Sequence, residues 1–133
     1  MKIILDAMGG DNAPDANIKG AINAVKKVSA EIILVGKEDI IRKKVKQFYG
    51  KEIEEISDRL KIRNSTETIE MEDQPTMSIK HKKDSSMVVG FNMLKQEEGD
   101  VFISAGNSGA LLAGATLLVG RIKGIDRPAL AGI

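Results

Sequence analysis

The sequence contains no cysteine and no tryptophan, and its single histidine is His81. Without cysteine the chain has no disulfide bond, no thiolate zinc site and no thiol nucleophile, which is compatible with a reducing cytoplasm. Aromatic residues make up only 3% of the chain, which argues against stacking platforms for nucleic acid. The 20 basic and 19 acidic side chains leave a net charge of +1, so no overall field recruits nucleic acid or an anionic membrane.

Targeting and membrane segments are also missing from the sequence pattern. The apolar run at the start meets Asp6 too soon for a signal peptide. The longest uncharged apolar run, residues 110–120, is too short to span a bilayer. No group of His, Asp and Glu residues has metal-ligand spacing, so we expect neither a metal nor another cofactor.

The 133 residues, 42% hydrophobic and 29% charged, are sufficient for one domain with a core. Short apolar runs predict strands at residues 3–5, 31–35, 60–63 and 101–103, and a further strand beginning at residues 129–133. Helical spacing predicts helices over residues 14–28, from about 37 to Gly50, behind Ser85, and from Gly109 to Val119. This alternation predicts an α/β domain with a largely parallel sheet.

The most informative stretch is VFISAGNSGALL at residues 101–112. A strand, which we predict to be buried, enters a turn rich in glycine and serine, and a helix follows. Such a turn can bind an anion, because its N–H groups and the helix N-terminus carry partial positive charge. In the alternative interpretation, this is an ordinary connection with Asn107 or Ser108 as N-cap.

Two more connections are suited to an anion. Asp6 is followed by Gly9, Gly10 and Asp11, and a basic run ending at Lys82 and Lys83 precedes Ser85 and Ser86. In the alternative interpretation of the basic run, it is a capped helix with solvated lysines. Because ligands of parallel sheets collect beyond the carboxyl ends of the strands, we expect the loops after residues 5 and 103 to share one edge.

The common catalytic motifs are missing, namely the P-loop, the dinucleotide G-x-G-x-x-G fingerprint and the G-x-S-x-G elbow. An enzyme with this inventory does not depend on a covalent protein nucleophile. A reaction in which inorganic phosphate is the nucleophile fits, since it needs an anion site, an oxyanion hole and positioning.

Four segments stand out together: ILDAMGGDNAP at residues 4–14, KKDSSM at 82–87, SAGNSGA at 104–110, and GRI at 120–122 with GIDRPALA at 124–131. In this order and spacing they resemble the PlsX family of bacterial phosphate acyltransferases. The chain differs from the family at three positions: Asn12 and Asn64 stand where His is common, and Ser108 replaces Thr. Because family members are more than twice as long, the resemblance implies that residues 1–133 are the amino-terminal part of a single α/β domain.

The resemblance implies transfer of a fatty acyl group from acyl carrier protein to inorganic phosphate, which forms acyl phosphate for phospholipid synthesis. It implies a Rossmann-like three-layer α/β/α sandwich akin to isocitrate dehydrogenase and phosphate acetyltransferase. It also implies a cytoplasmic homodimer, peripherally bound to the membrane beside the glycerol-3-phosphate acyltransferase, with no nucleic acid partner. A non-catalytic anion-binding module, or an inactive fragment of the same enzyme, is the alternative.

The resemblance and the anion-site interpretation together select the site residues. We expect catalytic roles for Asn107, Lys83 and Asp11. We expect substrate contacts from a larger set, which comprises Asp6, Gly9, Gly10, Lys82, Ser85, Ser86, Ser104, Gly106, Ser108, Gly109 and Arg127. Asp6 and Asp11 are predicted to orient neighbours rather than to act as bases, because a carboxylate repels an incoming phosphate.

Overall fold

A computed structural model describes residues 1–131. In chain order the elements are β1 Lys2–Asp6, α1 Asp15–Lys27, β2 Glu31–Gly36, α2 Glu38–Tyr49, α3 Ile53–Ile56, β3 Leu60–Asn64, α4 Pro75–His81, α5 Ser86–Lys95, β4 Val101–Ile103 and α6 Ser108–Gly114. A π-helical segment, Ala115–Val119, continues α6. Of the strand predicted at residues 129–133, residues 129–131 belong to no strand and the other two lie outside the described residues.

The four strands form one parallel sheet in the order β3-β2-β1-β4. Leu5 of β1 lies in register with Leu34 of β2 on one side and with Ile103 of β4 on the other. This confirms the predicted α/β fold with a parallel sheet and is compatible with a Rossmann-like sandwich. The chain adds β2 and β3 on one side of β1 and then returns to place β4 on its other side, so the strand order reverses between β1 and β4.

Helices pack against both faces of the sheet. On one face α1 and α2 bury Ile18, Ile22 and Ile41 against the strands, and none of these side chains is exposed. On the other face Met93 of α5 packs against Ile4 of β1. A further cluster joins α4, α5 and α6. Strands covered on both faces need apolar side chains at successive positions, which explains the unbroken apolar runs of β1 and β2.

The prediction that β4 is buried is wrong. Val101 is 36% exposed and Ile103 is 48% exposed. These side chains share a face with Ile3 and Leu5 of β1, with which they are in register. Along β1 this face packs against the α1 layer, but over β4 it stays open. Only Phe102, which points to the opposite face, packs against Phe91 of α5.

Helix ends differ from the sequence prediction by small shifts. Pro14 occupies the N-cap of α1 rather than its first turn, and Val28 lies just beyond the helix with 47% of its surface exposed. Gly50 ends α2 with φ +64° as predicted. The predicted helix to Val119 is α-helical only to Gly114. None of the helices in the described part of the chain has the length and apolar character needed to cross a membrane.

Candidate functional site

The Asp6 carboxylate joins two loops across the point where the strand order reverses. The side chain is 1% exposed at the end of β1. Its Oδ1 accepts hydrogen bonds from the N–H groups of Met8 and Gly9, both at 3.0 Å. Its Oδ2 accepts a bond of 2.7 Å from the Ser104 hydroxyl, and that hydroxyl accepts from the N–H of Gly106 at 3.1 Å. The burial of this carboxylate is therefore compensated by three donors from both loops.

Gly9 and Gly106 let the same two loops approach each other closely. A Cβ on Gly9 would lie 2.5 Å from Asp6 Oδ2 and 3.1 Å from the Cα of Gly106. A Cβ on Gly106 would lie 3.3 Å from the Cα of Gly9. Gly10 continues the contact, beside the Ala105 carbonyl. The sequence interpretation related Gly106 and Gly109 to a ligand, whereas the structure shows that Gly106 also makes backbone-to-backbone packing possible.

Asn17 is a site residue that sequence reasoning missed. Its Nδ2 donates to the backbone carbonyls of Asp6 at 3.0 Å and Gly9 at 2.9 Å. It therefore holds the β1–α1 loop from the first turn of α1. The available signal was an amide side chain directly before the buried Ile18 of this helix.

Asn107 is the N-cap of α6, as one of the two sequence interpretations predicted. Its Oδ1 accepts from the N–H of Ala110 at 3.0 Å. Its Nδ2 lies 3.2, 3.3 and 3.0 Å from the carbonyl oxygens of Glu70, Met71 and Asp73. The side chain is 7% exposed, and its partners are backbone groups of the connection before α4. Its catalytic role stays a prediction, while its visible role is to join that connection to α6.

Lys82 and Lys83 belong to one basic run in the sequence, but their side chains have different surroundings. The Lys82 ammonium donates to Asp73 Oδ2 at 2.6 Å and to the Thr68 carbonyl at 2.9 Å. The hydrogen bond from Lys82, together with one from the Glu70 N–H, lowers the pKa of the Asp73 carboxyl from its ordinary value. Lys83 is exposed and forms no ion pair within residues 1–131. Of these two cations, Lys83 is therefore the one with a charge available to a ligand.

The start of α5 lies beside the two joined loops. Ser85 caps this helix, because its hydroxyl accepts from the N–H of Val88 at 3.2 Å, and Ser86 donates its N–H to the Glu67 carbonyl. Both serines are buried. A Cβ on Gly106 would lie 3.4 Å from the Met87 methyl, which places the first turn of α5 against the β4–α6 loop. The serine hydroxyl that caps the helix thus has a structural partner already.

Two predicted site residues lie apart from these loops. Asp11 is exposed and lines an open groove with Pro14, Lys19 and Lys44. Arg127 is exposed in the irregular segment after the π-helical segment. For neither side chain do the described residues show a bond to Asp6 or Ser104. Their assignment to the site therefore stays a prediction.

The geometry leaves backbone donors for an anion at the start of α6. The Asn107 side chain takes the N–H of Ala110, and helix geometry provides no intrahelical acceptor for the N–H groups of Ser108 and Gly109. Gly109 packs against Pro75 of α4, and Ser108 is exposed. No group of three or more His, Asp or Glu side chains in residues 1–131 is arranged to hold a metal ion.

Comparison with known proteins places the chain in a family. The family model described as "Fatty acid synthesis protein" matches residues 1–133. A protein named Phosphate acyltransferase from Clostridioides difficile (strain 630) is 51% identical over 130 residues, which are 98% of this chain and 37% of that protein. Proteins of the same name from Acetivibrio thermocellus and Alkaliphilus oremlandii are 51% and 52% identical over 134 residues, covering 100% of this chain and 38% of theirs.

The chain spans 37% to 38% of the length of these curated relatives. The match of the family model along all 133 residues agrees with the resemblance seen in the four motifs. The chain belongs to the fatty acid synthesis protein family and is similar to its phosphate acyltransferases.

Proposed function

We propose that the protein takes part in transferring a fatty acyl group from acyl carrier protein to inorganic phosphate, which yields acyl phosphate for phospholipid synthesis. The observation that carries this proposal is the joining of two glycine-rich loops by Asp6 and Ser104 at the reversal of strand order. In parallel α/β sheets, ligands bind beyond the carboxyl ends of the strands at such a point. The reaction class is that of the similar proteins named Phosphate acyltransferase.

Phosphate binding in this proposal uses the groups that the fold leaves available. The N–H groups of Ser108 and Gly109 are the donors for the phosphate at the start of α6, and Lys83 is an exposed cation in the segment before α5. A phosphate oxygen attacks the thioester carbonyl, and the resulting oxyanion is stabilised by such donors. Its collapse breaks the C–S bond, and the carrier thiolate leaves and takes up a proton.

The partners follow from the same proposal. Acyl carrier protein is the acyl donor, and the whole protein works as a cytoplasmic homodimer bound peripherally to the membrane beside the glycerol-3-phosphate acyltransferase. The four matched motifs support these assignments. Asp6 and Asn17 act as positioning residues, since both bind the loop backbone.

The test measures release of carrier-protein thiol from acyl–acyl carrier protein by the 133-residue chain, with and without inorganic phosphate. We expect phosphate-dependent release, and a loss of about tenfold or more in Lys83→Ala, since removing one charge-stabilising donor costs roughly 100-fold in well-studied enzymes. Lys43→Ala is the matched control, because Lys43 is an exposed lysine on α2. Equal rates in the two variants would remove Lys83 from the site.

A second function, anion binding without catalysis, is favoured by one observation. The side chains of Asn107 and Lys82 are both hydrogen-bonded within the fold, which leaves few side-chain donors for a transition state. Under this alternative the chain binds phosphate and consumes no thioester. Absence of release from this chain, with release by a full-length relative, would assign the reaction to the longer protein only.

A further inference from the structure

A groove between α4, α5 and the π-helical segment combines an apolar surface with two cations. Its apolar lining residues are Ile79 of α4, Val88 of α5, and Leu117 and Leu118 of the π-helical segment, and Lys80, Lys83 and Asn92 also line it. The open volume is about 480 Å³. We refer to these seven residues as the α4–α5 groove.

The apolar part of the groove is accessible to a ligand. Ile79 and Val88 are almost fully buried and belong to the cluster that joins α4, α5 and α6. Leu117, which also lines the groove, is 54% exposed. Water therefore contacts the Leu117 side chain, and an aliphatic chain in the groove would remove this apolar surface from water.

The two lysines make the groove chemically asymmetric. Lys80 and Lys83 are exposed, and neither has a carboxylate partner among the described residues. By contrast Lys82, which lies between them in the sequence, is paired with Asp73. A purely apolar partner would leave these two charges uncompensated and partly desolvated, which is costly. An occupant with an anionic group next to an aliphatic chain satisfies both halves of the groove.

The groove is remote from the start of α6. Pro75 at the start of α4 lies against Gly109, whereas Ile79 lies against Gly114 and Lys83 lines the groove together with Leu117. The groove is therefore separate from the N–H groups of Ser108 and Gly109.

We propose that the α4–α5 groove binds an anionic amphiphile, with its aliphatic chain between α5 and the π-helical segment and its anionic group at Lys80 and Lys83. This inference goes beyond the proposed function and does not depend on it, because the groove is separate from the start of α6.

The test measures binding of decyl phosphate to the 133-residue chain by calorimetry, at concentrations where the ligand is monomeric. We expect saturable binding that weakens about tenfold or more in Leu117→Gln, since burying a leucine contributes roughly that factor or more. The double substitution Lys80→Glu and Lys83→Glu is expected to weaken binding by a similar factor and to reduce its dependence on salt. Inorganic phosphate alone and decyltrimethylammonium are expected to bind more weakly than decyl phosphate.

Matched controls identify non-specific binding. Ile122 is 80% exposed outside the groove, and Lys43 is exposed on α2, so Ile122→Gln and Lys43→Glu should bind as the unchanged chain does. Equal weakening in the control and groove variants would overturn the proposal. So would equal binding of decyltrimethylammonium. Self-association that Leu117→Gln abolishes, without decyl phosphate binding, would mean that a second copy covers the groove and would also overturn it.

The groove and the proposed function can fail separately. Decyl phosphate binding that depends on Leu117 and Lys80, in a chain that releases no thiol, would support the groove and reject catalysis by this chain. Phosphate-dependent thiol release with no effect of the groove variants on decyl phosphate binding would reject the groove and retain the proposed function.

Discussion

Two regions of the molecule with similar apolar patterns differ in burial. In the region from β1 to β3, Ile22, Leu34 and Ile41 are completely buried between the sheet and its helices. In the region from β4 onward, Ile103 is 48% exposed and Ile122 is 80% exposed. An apolar run therefore specifies a strand or a helix, whereas its burial depends on whether another layer of the fold covers it.

The candidate site lies on the border between these two regions. Asp6 ends β1 in the first region, and Ser104 follows β4 in the second. The first region holds its loop with Asn17 and Asp6, while the second holds its loop with Asn107 and Ser104. The β1 side of this border is therefore well buried, whereas the β4 side is open on its outer face.

The largest expected effect on the free energy of unfolding comes from an Ile→Ala substitution, which we compare between the two regions. Ile22→Ala should lower the free energy of unfolding by about 2–5 kcal/mol, because it leaves a cavity in a closed core. Ile122→Ala should change it by about 0.5 kcal/mol or less, since the side chain is 80% exposed. Urea unfolding of the 133-residue chain measures both values. Similar losses in the two variants would show that the second region is buried in solution.

The next prediction concerns Asp6, which joins the two regions. Asp6→Ala should cost roughly 3 kcal/mol, because it leaves the Met8 and Gly9 N–H groups and the Ser104 hydroxyl without their acceptor. Hydrogen exchange should show faster exchange in both loops. A double-mutant cycle with Ser104→Ala should give a coupling of about 1 kcal/mol, whereas additive effects would contradict the direct bond.

A smaller effect is expected at the cap of α6. Asn107→Ala should cost about 1–2 kcal/mol, because it removes the cap and leaves carbonyls of the connection before α4 without their donor. Ser85→Ala is the matched control, since it removes a single capping bond at α5. Urea unfolding should show a larger loss for Asn107→Ala, and a smaller loss would mean that its bonds to the carbonyls contribute little.

The smallest effect concerns the Lys82–Asp73 pair. In Lys82→Met the pKa of Asp73 should rise towards its ordinary value, since the hydrogen bond that contributes most to lowering it is lost. A lowered native pKa stabilises the fold above the unfolded pKa, and this contribution disappears as the pH falls through the native pKa. An NMR titration of the Asp73 carboxyl measures the shift, with Lys80→Met as control. An unchanged pKa in Lys82→Met would contradict the pairing.

Local signals predicted much of the site's framework from sequence. Residue type and spacing were sufficient to predict the apolar runs of β1 and β2, the end of α2 at Gly50 and Asn107 as an N-cap. Each of these features depends on residues that are neighbours in the chain. The glycine loops after β1 and β4 were assigned to one edge of the sheet because parallel strands bring their carboxyl ends together.

Sequence by itself determined the four strands, the helices α1, α2, α5 and α6 and the residue types at the site, but it predicted neither α3 nor α4. Only the tertiary structure decided that β4 is exposed, that Gly9 faces Gly106, and that Lys82 pairs with Asp73 while Lys83 has no such partner in the described residues. The physical reason is how far apart in the chain the interacting residues lie. Secondary structure and caps follow from contacts a few residues apart, whereas burial and hydrogen-bond partners are set by residues that meet only when the sheet assembles.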